Sequence, residues 1–464
     1  MITRRTLLKS LILPYFGHDF IVSAHEKNIN ININDSVSPE MFGAVGDGIK
    51  DDSLAMKMCF DSKKKVILKK NAKYLWTKKI VVTGAINVDA QNATILCDEV
   101  FLEVIDGAGS SWLGGVMNTI TQPYIVSYNN NWSVSKLSSP GSGRMPFYDE
   151  PNINNEIKNQ RIGCCLLFRS SSELIQIGLN VKNLTANNGA LIIAGFSEVT
   201  VDNCKVKGGS HIACIAIING SKEPLLWGYS TNDISDYEYG RGRKIIIKNC
   251  YLYECANNGL YITGTDDVHV DNCKFIDNGE SGIKTGQYVQ RWWTTPNRCC
   301  SSVDITNCYA AGQYYDGFDL QNAFGSGKKL YKDSFVTSEN NISIHNRRAG
   351  FISQGGGNKF FNCHAEGNGI HGIMSNQSRS VEMYSCKAIN NCIGFDGVEL
   401  GLCGPDSIMK NCVAINSLSK HNVLLINHTI GTQWPNKFYG VSDGNSFNDL
   451  KRCIIDPRIA IVGE

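Results

Sequence analysis

Strict alternation of apolar and polar residues recurs along the middle of the chain, each time just before a cysteine. Val199 and Val201, Ile245 and Ile247, Val268 and Val270, and Val303 and Ile305 are the apolar members. A two-residue period predicts short β-strands with one covered face. Each strand runs into an Asn-Cys pair: Asn203-Cys204, Asn249-Cys250, Asn272-Cys273, Asn307-Cys308, Asn362-Cys363 and Asn411-Cys412, with Ser385-Cys386 as a variant. Cys204 and Cys250 lie 46 residues apart, Cys250 and Cys273 23 apart, and Cys363 and Cys386 again 23 apart. A second series sets Gly before an apolar residue at Gly259, Gly282, Gly317, Gly350, Gly372 and Gly394, in steps of 23, 35, 33, 22 and 22. After each Gly the pattern predicts another short alternating strand, such as Leu260 with Ile262 or Phe318 with Leu320. A fixed period of this length marks a solenoid. A leucine-rich repeat would show a helical half of period 3.6, which is not seen. The expected fold is all-β: a right-handed, single-stranded parallel β-helix in which each coil adds about 4.8 Å.

Coil stacking accounts for both series. Asn side chains in line satisfy one another and the backbone at a turn, and Cys in line behave as small core residues. One Cys per coil does not converge ligands and no CxxC pair occurs, so neither a metal site nor a cofactor is expected. The redox state of the cysteines stays open, Cys164-Cys165 and Cys299-Cys300 being too close within each pair to bridge easily.

In such a coil the second and fourth residues after each Gly face outward. The first lane reads Tyr261, Lys284, Asp319, Ile352, Met374 and Asp396; the second reads Thr263, Gly286, Gln321, Gln354, Asn376 and Val398. The face is expected to be polar near its middle. Extra length beside these coils falls at Ser221 to Gly242, Gln287 to Cys300 and Ala323 to Glu339, and insertions on one side of a scaffold commonly build a binding cleft. Trp227, Tyr229, Tyr237 and Tyr239 lie in the first insertion, and Tyr288, Trp292 and Trp293 in the second. Exposed rings stack on sugar faces, and Arg291 and Arg298 suit acidic sugars; the same rings also serve simply to pack the loops. The substrate-binding set is therefore Tyr261, Tyr288, Arg291, Trp292, Trp293, Gln321, Gln354 and Trp227.

Composition narrows the partners. The chain has 464 residues, 42% of them apolar and 19% charged, with a net charge of +2. It is too apolar for disorder, its charge gives no reason to expect nucleic acid, and no apolar run reaches the ~18 residues of a membrane span. Arg4 and Arg5, the apolar stretch Leu7 to Phe16 and the small residues Val22-Ser23-Ala24 read as an export signal over residues 1–24. Thr3-Arg4-Arg5-Thr6-Leu7-Leu8-Lys9 resembles a twin-arginine signal, whose machinery carries folded proteins; an ordinary secretory signal is the alternative. Removing residues 1–24 deletes Arg4, Arg5, Lys9 and Asp19 and leaves a formally neutral chain. A periplasmic or secreted location follows, with no membrane partner once the signal is gone. Residues 25–464 are expected to form one domain, capped at about 38–62.

The segment Phe42-Gly43-Ala44-Val45-Gly46-Asp47-Gly48-Ile49-Lys50-Asp51-Asp52-Ser53 leads into Leu54 to Phe60. Asp51 or Asp52 is placed to cap a short helix that closes the end of the solenoid. This segment resembles the opening of many phage tailspikes and polysaccharide-degrading proteins of the pectate-lyase-like superfamily. The resemblance implies a parallel β-helix, a polysaccharide partner, a structural role for this Asp pair and a homotrimer as one assembly open to the chain. The calcium-binding acid cluster of pectate lyases is not visible. Gly264-Thr265-Asp266-Asp267 and His371-Gly372 are similar to fragments of polygalacturonase motifs, but their order and spacing do not fit; Asp266-Asp267 reads as a polar turn, and His211, His364 and His371 as solvated turn histidines.

The candidate chemistry centres on Asp316-Gly317-Phe318-Asp319, with Glu280 on the preceding coil. With Phe318 inward, Asp319 points outward, Asp316 lies at the edge of the same face, and Glu280 stacks beside Tyr315. Crowded carboxylates separate into a proton-holding acid and an ionised base or nucleophile, as glycoside hydrolysis requires. The Asp316–Asp319 spacing resembles that of tailspike endoglycosidases; turn formation is the plainer account of Asp316. Lys284 stacks beneath Asp319. It reads either as an ion pair or, with Arg291, Tyr261 and Tyr288, as the base of a polysaccharide lyase. The expected function is an exported glycoside hydrolase using Asp316, Asp319, Glu280 and Lys284, the alternatives being a lyase or a non-catalytic carbohydrate-binding or exopolysaccharide-assembly protein.

Overall fold

Each coil is three short strands and two corners, repeated until equivalent residues form continuous columns. In one coil the strands are Thr265–Asp271, Lys274–Ile276 and Ile283–Thr285, and in the next Ser301–Thr306, Tyr309–Ala311 and Phe318–Gln321. We refer to the three columns as the first, second and third ladders. The pairings within them are parallel, and the middle coils keep register: Val268 opposite Val303 and Val336 in the first, Phe275 opposite Ala310 and Ser343 in the second, Ile283 opposite Phe318 and Phe351 in the third. This computed structural model describes residues 36–97, 100–119, 164–208, 213–220, 239–255, 257–286, 300–321, 335–379, 381–391, 393, 397–402, 408–415, 422–426, 454–455 and 460–462. The chain folds as a right-handed parallel β-helix, as its period predicts.

The first corner explains the Asn-Cys pairs. Asn203, Asn249, Asn272, Asn307, Asn362 and Asn411 all have φ between 49° and 56°, the left-handed region that Asn tolerates best among residues with a side chain. Ser385 takes the same conformation at 55°. The turn sends the Asn side chain out and the Cys side chain in. Asn272 Nδ2 donates to Asn249 Oδ1 at 2.8 Å, and Asn362 Nδ2 to Asn340 Oδ1 at 2.8 Å, so the exposed amides link coil to coil. Cys204, Cys250, Cys273, Cys308, Cys363, Cys386 and Cys412 are all buried in the central core.

The second corner carries another column, of buried amides. Asn278 donates through its backbone N–H and its Nδ2 to Gln313 Oε1, both at 3.0 Å. The Gln313 N–H donates to Asn346 Oδ1, the Asn346 N–H to Asn368 Oδ1, and the Asn368 N–H to Asn391 Oδ1, at 3.0–3.1 Å. The column ends where Asn391 Nδ2 donates to the buried Glu399 carboxylate at 2.7 Å. Four turn N–H groups that would otherwise be unmet inside the coil are thereby satisfied.

The Gly series follows from close approach. A Cβ on Gly317 would stand 2.7 Å from the carbonyl oxygen of Gly350, and one on Gly350 would stand 2.8 Å from that of Gly372. Gly394 and Asp396 lie outside the described residues, and the described register sets the next rung elsewhere. Ile373 pairs with Leu400 and Met374 with Gly401, so Glu399 occupies the Gly position and Gly401 the first outward lane. The last interval is 27 residues, from Gly372 to Glu399, rather than 22.

The outward side of the third ladder is not the open polar face the alternation suggests. Leu191–Ala194 and Ala213–Ile218 are apolar on both sides, and Leu167, Ile192, Ala216, Ile218, Tyr239 and Tyr261 form a second buried cluster outside the central core. Ile352 and Met374 are buried too. Such uninterrupted apolar strands are the mark of a ladder covered on both faces.

At the N-terminal end a helix, Ser53–Asp61, packs Met56, Cys59 and Phe60 into the core. Asp52 stands at the N-cap position but does not cap with its side chain. Its carboxylate turns back to accept the N–H groups of Val45 and Gly46 at 2.8 and 3.2 Å. Asp51 instead receives the Ser53 N–H at 3.0 Å and the Thr77 hydroxyl at 2.7 Å, and these bonds overcome partial burial to hold its carboxyl down at about 2. The pair is structural.

Between the third strand of one coil and the first strand of the next, chain length varies widely. Gly264 alone joins Thr263 to Thr265, whereas 23 residues lie between Ile218 and Gly242.

Candidate functional site

The corner before the third ladder brings five charged side chains together. Backbone hydrogen bonds stack Asn257, Glu280, Tyr315 and Arg348 on successive coils, each N–H donating to the carbonyl of the coil before. This confirms that Glu280 lies beside Tyr315 and adds Arg348 to the column. Four residues further along each coil, Lys284 is directly opposite Asp319.

The charges form two linked groups. Lys284 Nζ lies 2.6 Å from Glu280 Oε1 and 3.4 Å from Asp319 Oδ2. Asp319 also accepts both oxygens' worth of bonding from Gln321 Nε2, at 3.0 and 2.9 Å, and Glu280 accepts Asn258 Nδ2 at 3.2 Å. Arg348 grips Asp316 with two nitrogens, Nε at 2.8 Å from Oδ1 and a terminal nitrogen on Oδ2, while the Ala349 N–H donates to Oδ1 at 3.1 Å. The Arg348 guanidinium also lies over the Tyr315 ring, 4.6 Å from its centre. Exposure divides the cluster: Glu280, Lys284 and Arg348 side chains are 21%, 19% and 22% exposed, against 0% for Asp316 and 4% for Asp319.

Burial and neighbouring charges pull these groups in different directions. Burial alone would raise the Glu280 carboxyl, but the Lys284 charge and hydrogen bond, with Asn258, hold it below the usual glutamate range. Burial would lower Lys284, and Glu280 and Asp319 more than offset this, so it stays protonated above its ordinary range. Burial raises the Asp316 carboxyl even against Arg348, with Asp319 adding to the rise. His371 sits at the coil position after Asp316 and Ala349; its Nδ1 accepts the Val398 N–H at 3.0 Å. Burial, then the nearby Arg348, pushes it down to about 3. It is a buried, neutral histidine rather than a solvated turn residue.

The expected site residues thus separate. Asp316, Asp319, Glu280 and Lys284 are gathered as the coil pattern predicts. Asp316 and Asp319 lie beneath the surface, however, and each is committed to a cation. Tyr261 belongs to the second buried cluster, and Gln321 is buried against Asp319, so neither presents itself as a sugar contact. Tyr288, Arg291, Trp292, Trp293 and Trp227 lie outside the described residues, as does the Gln354 side chain. Asp266 and Asp267 stand in the strand Thr265–Asp271 rather than in a turn, Asp266 pairing with Arg241 and Ser301. His364 bonds Glu366 at 3.0 Å. Among the described residues no group of three or more His, Cys, Asp or Glu side chains is placed to hold a metal ion.

Comparison with known proteins fixes the architecture. Residues 189–342 match the family model described as the right handed beta helix region. The chain is a right-handed parallel β-helix protein. The siphovirus 9NA tailspike receptor-binding domain is 14% identical, with a TM-score of 0.57 over 92% of this chain and 74% of that one. The receptor-binding tailspike of bacteriophage Det7 is 15% identical, with a TM-score of 0.53 over 85% of this chain and 74% of that one. No curated protein sequence matches significantly. In this β-helix protein the residue that sequence reading overlooks is Arg348. Its signal was available two positions before Gly350, the same offset that picks out Glu280 before Gly282 and Tyr315 before Gly317.

Proposed function

We propose that this β-helix protein is exported and engages a polysaccharide on the flank that carries Glu280, Lys284 and Arg348, with glycoside hydrolysis as its reaction. The carrying observation is the division of the charge cluster: one ionised carboxylate and two cationic heads share partial exposure, while their partner carboxylates are buried beneath them. A fold shared with receptor-binding tailspikes supports a surface-glycan partner.

The roles follow from the geometry. Glu280, held ionised and partly exposed, is the carboxylate that can serve as base or nucleophile. Asp316 is paired as a carboxylate while Arg348 holds it; once Arg348 leaves, burial favours its protonated form and makes it the proton-holding partner. Because Arg348 occupies both its oxygens, Arg348 must move onto the substrate before Asp316 can donate, which favours a glycan bearing anionic groups. Asp319 positions Lys284. A lyase using Lys284 as base has less support, because two carboxylates hold that amine protonated.

The test is incubation of the mature protein with capsular and exopolysaccharides, acidic and neutral, with product mass analysis. Hydrolysis releases reducing ends, whereas elimination from a uronide gives an ultraviolet-absorbing product. Glu280→Gln and Asp316→Asn are each expected to lose about 10²–10⁴-fold in rate. Full activity in both variants overturns the assignment, and retention of glycan without cleavage indicates a binding protein. Sedimentation in the same buffer reports whether it acts as a trimer.

A further inference from the structure

The seven cysteines of the first corner share one hydrogen bond that depends on their being thiols. Each Sγ lies within donor distance of the carbonyl two residues earlier: Cys204 to Asp202 at 3.4 Å, Cys250 to Lys248 at 3.2 Å, Cys273 to Asp271 at 3.3 Å and Cys308 to Thr306 at 3.1 Å. Cys363, Cys386 and Cys412 repeat this with Phe361, Tyr384 and Lys410 at 3.4–3.5 Å. A carbonyl accepts, so the sulfur must carry the proton. The left-handed residue between them is what brings sulfur and carbonyl together. The seven column cysteines are all buried.

We infer that the thiol column is a reduced structural element whose formation has to precede any encounter with a thiol oxidant, so that the protein is built to fold before it is exported. This rests on the export part of the proposed function. Adjacent rungs are separated by about 4.8 Å, within the Cα separation of disulfides, and in an open chain all these thiols are accessible. Joining two of them breaks two S–H bonds, forms one S–S bond and passes two protons and two electrons to the oxidant, an oxidase disulfide in the cell or oxidised glutathione in a tube. Each such bond removes two donors from the column and fixes a pair that the inward-facing stack does not use. Once coiled, the same thiols lie inside a dry core that an oxidase cannot enter. The Arg4-Arg5 signal is of the kind that exports folded chains.

The test separates folding from export and from glycan chemistry. Full-length mature protein, denatured and reduced, is refolded by dilution into excess oxidised glutathione or into reductant, and native yield is read by circular dichroism. Most of the yield is expected to be lost in the oxidant, while folded protein given the same oxidant keeps its signal. A variant with all seven column cysteines changed to serine, which keeps a donor at every rung and leaves the other eleven cysteines in place, is expected to lose clearly less yield in the oxidant, and a loss as large as that of the unaltered protein overturns the role of the column. Equal yields for the unaltered protein overturn the inference; so does recovery of any column cysteine as a disulfide when exported protein is alkylated under denaturing conditions and analysed by mass. If the serine variant does not fold, the alkylation result alone decides. None of these readouts involves a polysaccharide.

Discussion

The two corners of the coil solve the same problem in opposite ways. At the first corner nearly every rung carries the same pair, a left-handed Asn and an inward Cys, and the contacts repeat from Cys204 to Cys412 with little change. At the second corner the inner position also repeats, as buried amides. The position that flanks the third ladder changes on every rung, through Asn257, Glu280, Tyr315 and Arg348. Repetition is what stacking alone demands. Where the scaffold leaves a rung free to differ, and the residues that differ carry opposite charges into partial burial, a purpose beyond stacking is the economical account, since buried charge adds little stability by itself.

Substitutions can break this contrast. The largest effect is expected from Arg348→Met, which strands the buried Asp316 carboxylate. A loss of about 3–5 kcal/mol in denaturant unfolding is expected, and the double variant Arg348→Met, Asp316→Leu should recover a large part of it. Unchanged stability in the single variant would show that the pair contributes nothing. Gly317→Ala follows, at about 2–3 kcal/mol, because its methyl meets the Gly350 carbonyl and the Ser343 hydroxyl. Asn346→Leu should cost about 1–3 kcal/mol, through the unmet Gln313 N–H and the loss of one of the two bonds that residue 346 gives Asn368 Oδ1. A chevron or equilibrium melt in urea distinguishes these.

Acid sharpens the comparison, since the second corner holds the groups with shifted proton affinity. His371 is held at about 3, below the 6.5 of an unfolded histidine, so its contribution is complete above 6.5 and is lost as pH falls through that window. Glu280, also lowered, acts in the same sense below the usual glutamate range; Asp316, raised, opposes it there. His371→Asn should therefore flatten the fall in melting temperature between about pH 6.5 and 4.5. An unchanged slope would sink the assignment. The smallest effect is expected at the first corner: Cys273→Ser keeps a donor to Asp271 and should shift stability by about 1 kcal/mol or less under reducing conditions.

Periodicity made the coil, the inward cysteines and the Lys284–Asp319 lane legible, because register in a parallel stack is set by counting. What escaped had local causes. Gly394 looked like another rung, but five extra residues before Glu399 moved the true position, and a carboxylate terminating the amide column stands where Gly was expected. The third ladder was read as half-exposed although Ala213–Ile218 shows no alternation at all. His371 was read as solvated because its coil position says corner, while only the packed structure shows that this corner is covered. Arg348 was missed because its lane was followed only as far as Tyr315.

One seam of the coil tolerates anything from Gly264 alone to the 23 residues between Ile218 and Gly242. Closing a longer loop costs only about 0.6 kcal/mol per doubling of its length, and the rungs on either side keep their pairing whatever is spliced between them. The molecule therefore has a place where new surface can be written without renegotiating the rest, while the stack beneath it stands still.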